Sequence, residues 1–237
     1  MLKSSELWVR GGVLWEKKSL GPGPAKLIGG NEQAGFYGEV PANEFITGDE
    51  LARRIGLNAG TSQFSNEPWL KFSYMGKTEF VAKKPFRYDI SWDSINAVNA
   101  VFGNRIIEIS GSKYKIRLMK GKSEGKQNDS SAYSGNINKG SEWNKLMLPI
   151  HKNAPSNWGY KDNVNSPTEN WNVRYTDNDL FTNVSIGNGC RCWCQEYGGR
   201  TSARLYRGNN GVSAALHMDP HIVDEDFGWR PVLELVH

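Results

Sequence analysis

The feature that most constrains this chain is its closing segment, "GWRPVLELVH". Trp229, Pro231, Leu233 and Leu235 fall on alternate positions, opposite Arg230, Val232, Glu234 and Val236. Period-two alternation of this kind predicts a strand with one buried face. Proline cannot donate to a ladder, so Pro231 belongs at a strand start or on an edge. A terminus this apolar is expected to be tied into a sheet. Arg230 and Glu234 then fall on the polar face. On this pattern Trp229→Ala is a severe core truncation and Arg230→Ala a mild one.

Upstream, the same reading yields short elements joined by loops. In "ITGDELARRIGL", Thr47 and Glu50 make a T-x-x-E capping box, and Gly56 stops the helix. "WLKFSYMGKTEFVAKK" reads as a hairpin turning at Gly76-Lys77. Ser91 caps a second helix that runs toward Gly103. "RIIEISGSKYKIRLM" is a second hairpin, with Tyr114, Ile116 and Leu118 facing one way and Lys113, Lys115 and Arg117 the other. Residues 120–140 lack periodicity and read as a long exposed loop. Ser141 starts a short third helix. Residues 151–200 read as irregular, and a last hairpin turns around Gly208-Asn209-Asn210-Gly211.

The chain of 237 residues is 38% hydrophobic, with nine Trp, nine Tyr, nine Phe and 26 Gly. That mixture suits short strands and structured loops better than a helical bundle. No apolar run approaches the roughly 18 residues of a membrane span, and no h-region follows the first residues, so neither membrane insertion nor a secretory leader is expected. The net charge of +4 is mild. Its local excess over residues 76–126 reads as a solvated strand face rather than a nucleic-acid surface. Residues 1–30, with "SLGPGPAKLIGG", read as an extended assembly arm in which Gly and Pro break both helix and ladder. Trp8 and Trp15 of that arm call for cover by the domain or by a neighbouring chain. The domain itself spans residues 31–237.

Taken together, "GFYGEVPANEFITGDELARRIGL", "WLKFSYMGKTEFVAKKPFRYDISWDSINAVNAVFG", "IEISGSKYKIRLMKG", "SEWNKLMLPIH", "CWCQE" and "GWRPVLELV" resemble bacteriophage virion proteins of tail-fibre or tail-surface type that carry a C-type-lectin-like domain. The resemblance covers about residues 35–237. It implies an α+β fold of short hairpins, two or three short helices and long display loops, with the closing strand pairing near the start of the domain. The function implied is a structural one in the virion, assembled in the host cytoplasm: contacts with other virion proteins, homo-oligomerisation, and attachment to a host-surface glycan or protein. The sulfatase-modifying (formylglycine-generating) enzymes share the fold, so an enzyme of that type, or a glycan hydrolase, is an alternative. A purely structural subunit without a host ligand is another. Fold likeness alone does not choose among them.

The residues give little chemistry. Cys190, Cys192 and Cys194 alternate, so their thiols would share one strand face and can contribute to a zinc site with His217 or His221. Their spacing is not that of a zinc finger, and Pro220 breaks the histidine pair, so buried thiols and no metal are expected. Asp177 and Asp179, and Asp224, Glu225 and Asp226, cluster carboxylates without a full calcium-loop pattern. There is no phosphate loop, nucleophile elbow, dinucleotide fingerprint or metalloprotease helix; no cofactor and no catalysis are expected. The aromatic and amide-rich stretch from Asn157 to Asn210 is the expected contact face. Tyr175, Tyr197, Arg200 and Tyr206 are its candidate residues, each beside Gly, Asp or Arg rather than in an apolar run.

Overall fold

The computed structural model describes residues 7–10 and 13–16 as backbone, together with 20–121, 141–152, 171–197 and 202–237. β1 (Leu7–Arg10) and β2 (Val13–Glu16) form a two-stranded hairpin of their own. There follow β3 (Gly29–Gly30), β4 (Ala34–Val40), α1 (Gly48–Ile55), β5 (Thr61–Ser62), β6 (Trp69–Tyr74), β7 (Lys77–Ala82) and β8 (Arg87–Tyr88). The middle of the chain supplies α2 (Trp92–Ala97), β9 (Phe102–Ile109), β10 (Ser112–Arg117), α3 (Glu142–Met147) and α4 (Asp177–Leu180). The last elements are β11 (Arg191–Tyr197), β12 (Arg204–Arg207), β13 (Ala215–Met218), β14 (Phe227–Trp229) and β15 (Val232–Val236). Mostly strand, with a few short helices and long connections, the fold is α+β.

Two sheets carry the domain. One has the order β3-β4-β6-β7-β15-β10-β9 and is antiparallel throughout. The other runs β13-β12-β11-β14-β8-β5, with a parallel step between β11 and β14. The closing segment passes from one sheet to the other. Trp229 ends β14, and Val232 begins β15 in the first sheet. Pro231 sits at the switch, where no N–H is needed, and its carbonyl accepts from the Ala82 N–H at 3.0 Å.

The closing strand is tied down as expected, but two features differ. Its partners are β7 and β10, in mid-sheet, rather than a strand near the domain start. Its supposed polar face is buried as well: Arg230 is 1% exposed and Glu234 9%. A second layer explains this. One core packs the two sheets with α1 and α2 around Trp69, Trp193 and Trp229. The other packs Trp143, Leu146 and Met147 of α3 on the opposite face, against Phe72, Val81 and Val232. A sheet covered on both faces carries no polar side. Arg117, expected on a solvated strand face beside Lys113 and Lys115, is buried for the same reason. It lies among Glu79, Glu142 and Glu234, at 2.5, 2.9 and 3.3 Å.

The local signals hold better. The Thr47 hydroxyl accepts from the Glu50 N–H at 3.2 Å, and Gly56 takes the left-handed conformation at φ 76°. Only half of the capping box forms. The Glu50 carboxylate turns forward to Arg53 and Arg54, whose hydrogen bonds pull its pKa down to about 2. Ser91 and Ser141 cap α2 and α3, although α2 stops at Ala97, short of Gly103. The region expected to be irregular contains α4, with a reciprocal Thr176–Asp179 capping box, and the seven-residue β11.

Residues 20–30 of the expected arm lie against the domain. Gly29–Gly30 pairs with β4, and the fully buried Lys71 ammonium donates to the carbonyls of Pro22 and Pro24, both at 2.8 Å. Gly23 has φ 76°, and a Cβ there would meet Val40 Cγ2 at 2.4 Å, so this turn of the strap requires glycine. Burial pushes the Lys71 pKa down from 10.5 to about 8. A lysine lowered in this way favours the folded state more as pH rises from the folded value toward the unfolded one. Between about pH 8 and 10 the parent should therefore gain melting temperature relative to Lys71→Met. Parallel melting profiles would contradict this.

Candidate functional site

β4 ends at Val40, and Pro41 removes the donor that would extend its ladder. A short 3-10 turn, Ala42–Glu44, follows. Together with the loop before β6, this turn borders an open cleft of about 420 Å³ lined by Glu39, Pro41, Ala42, Asn43, Asn66 and Pro68. The Asn43 and Asn66 side chains are exposed, and neither amide is bonded to another described residue.

Glu39 is the fixed point of the cleft. Its Oε1 accepts from Lys83 Nζ at 2.8 Å and from the Tyr175 hydroxyl at 2.6 Å. Its Oε2 accepts no bond from a described residue. Tyr175 is half-buried, edge-on to Phe36 at 6.3 Å, with Lys83 Nζ 4.9 Å from its ring centroid. Burial, then the bond to Glu39, pushes the Tyr175 pKa up, so the phenol remains a donor. Beside this group Lys84 pairs with Glu67 at 3.0 Å. Asp179 is held below its ordinary pKa by hydrogen bonds from Thr176, with help from Lys83 and Lys84.

Two of the four candidate residues, Tyr175 and Tyr206, have described side chains. Tyr175 stands beside the cleft. Tyr206 is core: it is 4% exposed, edge-on to Phe227 at 5.2 Å and to Trp193 at 6.3 Å, so its ring is not available to a partner. Tyr197 ends β11, and its side chain lies outside the described residues, as does Arg200. Trp171 and Trp193 are buried too. Glu39, Asn43, Asn66 and Lys83 lie outside the Asn157–Asn210 stretch. The available signal was the strand-ending Glu-Val-Pro-Ala-Asn, which marks a loop displayed on a rigid strand.

The cysteines are sealed. All three are free and 0% exposed. Burial, with a contribution from neighbouring Cys192, raises Cys190 to about 12, and burial raises Cys194 well above the ordinary thiol range. A thiol so shifted is not a nucleophile at neutral pH. His221 is exposed and paired with Asp219 at 2.8 Å. Among the described residues no three of His, Cys, Asp and Glu come together as a metal-binding group. The acidic clusters have structural partners. Asp177 accepts from Thr182 and from the Val212 N–H, while Asp226 pairs with Arg191 at 2.9 Å.

No protein-family model matches the chain, and no curated protein matches it in sequence. Among solved structures, Treponema denticola variable protein 1 is similar over 98% of this chain and 99% of that one, at 9% identity. The TM-score of that match is 0.28, too low to carry an argument about fold or function.

Proposed function

We propose that this chain is a bacteriophage virion protein of the tail, fibre or collar surface, whose C-type-lectin-like domain makes assembly contacts and attaches to a host surface. The observation that carries the binding part is the cleft. Two amides and one carboxylate oxygen that bond no other described residue edge it, on a frame packed around two cores. The sealed thiols favour this reading over thiol chemistry of the sulfatase-modifying kind. The assembly part rests on the resemblance and on the N-terminal hairpin. Among the described residues β1 and β2 pair only with each other, and an isolated two-stranded hairpin is marginally stable in water, so they call for cover by the domain or by a neighbouring chain.

The test is incorporation into particles. Because residues 20–30 belong to the domain, the truncation removes residues 1–19 only. The shortened chain should melt as the full one does and be absent from purified particles that contain the full chain. Normal incorporation of the shortened chain would overturn the role of the hairpin, and absence of the full chain from particles would overturn the virion reading.

A further inference from the structure

Resting on that binding reading, we infer that the cleft beside Glu39 takes an uncharged sugar ring. Its volume of about 420 Å³ lies at the small end of ligand pockets, which run from about 300 to 1,000 Å³. One or two sugar rings suit that space; a folded loop does not. Each asparagine amide both donates and accepts, whereas Glu39 Oε2 accepts only. Pro41, Ala42 and Pro68 add apolar surface between these polar groups. A pyranose presents the matching pattern, with hydroxyls that donate and accept around its rim and C–H groups on its faces. A purely apolar ligand would desolvate two amides and a carboxylate oxygen without replacing their hydrogen bonds with water.

Charge narrows the class further. Lys83 already neutralises Glu39 at 2.8 Å, with the Tyr175 hydroxyl as a second donor, so little charge remains to draw a cation. Lys84 is engaged by Glu67, and an acidic sugar would meet the open oxygen of Glu39. The neutral ring is the ligand that leaves no charge unpaired. Tyr175 acts here as a positioning residue: its bond engages Oε1 and leaves Oε2 as the acceptor for the ligand.

Saturation-transfer NMR on the full chain tests this with glucose, galactose, N-acetylglucosamine and, as the acidic control, glucuronate. Transfer is expected to at least one neutral sugar, with glucuronate weaker by about tenfold or more. Asn43→Ala and Asn66→Ala should each weaken the neutral sugar by about tenfold, the worth of one hydrogen bond, with melting unchanged. No transfer to any neutral sugar, equal transfer to glucuronate, or binding untouched by both substitutions would overturn the inference. Particle incorporation separates its failure from that of the virion reading. A chain present in particles that binds no sugar loses only the ligand class, and a chain that binds sugar but is absent from particles loses only the virion role.

Discussion

Arg230→Ala is expected to destabilise the protein by about 3–5 kcal/mol, as much as Trp229→Ala beside it. Arg230 is 1% exposed. Its Nη1 donates to the carbonyls of Ala82 and Lys83, and its Nη2 to those of Leu180 and Phe181. Its Nε donates to Cys192 Sγ at 3.2 Å. One guanidinium thus ties together the end of β7, the end of α4 and strand β11. Alanine leaves four carbonyls without this donor, each costing about 1–3 kcal/mol if it stays dry, and opens a cavity against Trp143. The melting temperature should fall by on the order of 10 °C. Lysine keeps the charge but not the planar fork, so Arg230→Lys should recover little. Melting within a couple of degrees of the parent would show that the carbonyls find water instead.

Equal losses at Trp229 and Arg230 would erase the ranking that alternation alone suggests, and this marks the limit of what was legible. Thr47, Gly56, Ser91 and Ser141 could be read because a cap acts within one turn of its own helix. The turns at Met75-Gly76, one residue ahead of the expected Gly76-Lys77, and at Ser110-Gly111 are equally local. Burial of Arg230, Glu234 and Arg117 is not local. It depends on α3 covering a sheet whose strands come from both ends of the chain. β11 was hidden for a related reason. Trp193 lies in one core and Cys192 in the other, so both faces are apolar and the period-two signal vanishes.

At the site, composition pointed to Tyr175 but could not find its partner. Glu39 lies 136 positions earlier, and nothing in either segment encodes their approach. Tyr206 has similar polar neighbours in sequence, yet Trp193 opposite it on β11 draws its ring into the core. A tyrosine between arginine and leucine does not reveal which way its strand faces.

Arg117→Met should also cost about 3–5 kcal/mol, with a pH dependence that identifies the cause. The guanidinium bonds Glu142 through both Nη atoms at 2.9 Å, and reaches Glu79 at 2.5 Å and Glu234 at 3.3 Å. Lys77 meets Glu234 from the solvent side at 2.8 Å. Burial, opposed by Arg117 and reinforced by Glu142 and Glu234, raises Glu79 well above the ordinary 4.5. Protonation of Glu79 leaves two cations facing two carboxylates. Methionine removes the one neighbour that lowers Glu79, so the folded variant holds protons to higher pH than the parent. A raised carboxyl pKa gives stability that is full below the unfolded value and lost as pH rises through the folded one. The melting deficit of Arg117→Met should therefore be smaller at pH 5 than at pH 8. Adding Glu79→Gln, which cannot ionise, should narrow the gap between the two pH values. An equal deficit at both, or a larger one at pH 5, would mean that Arg117 stabilises by packing rather than by balancing the buried glutamates.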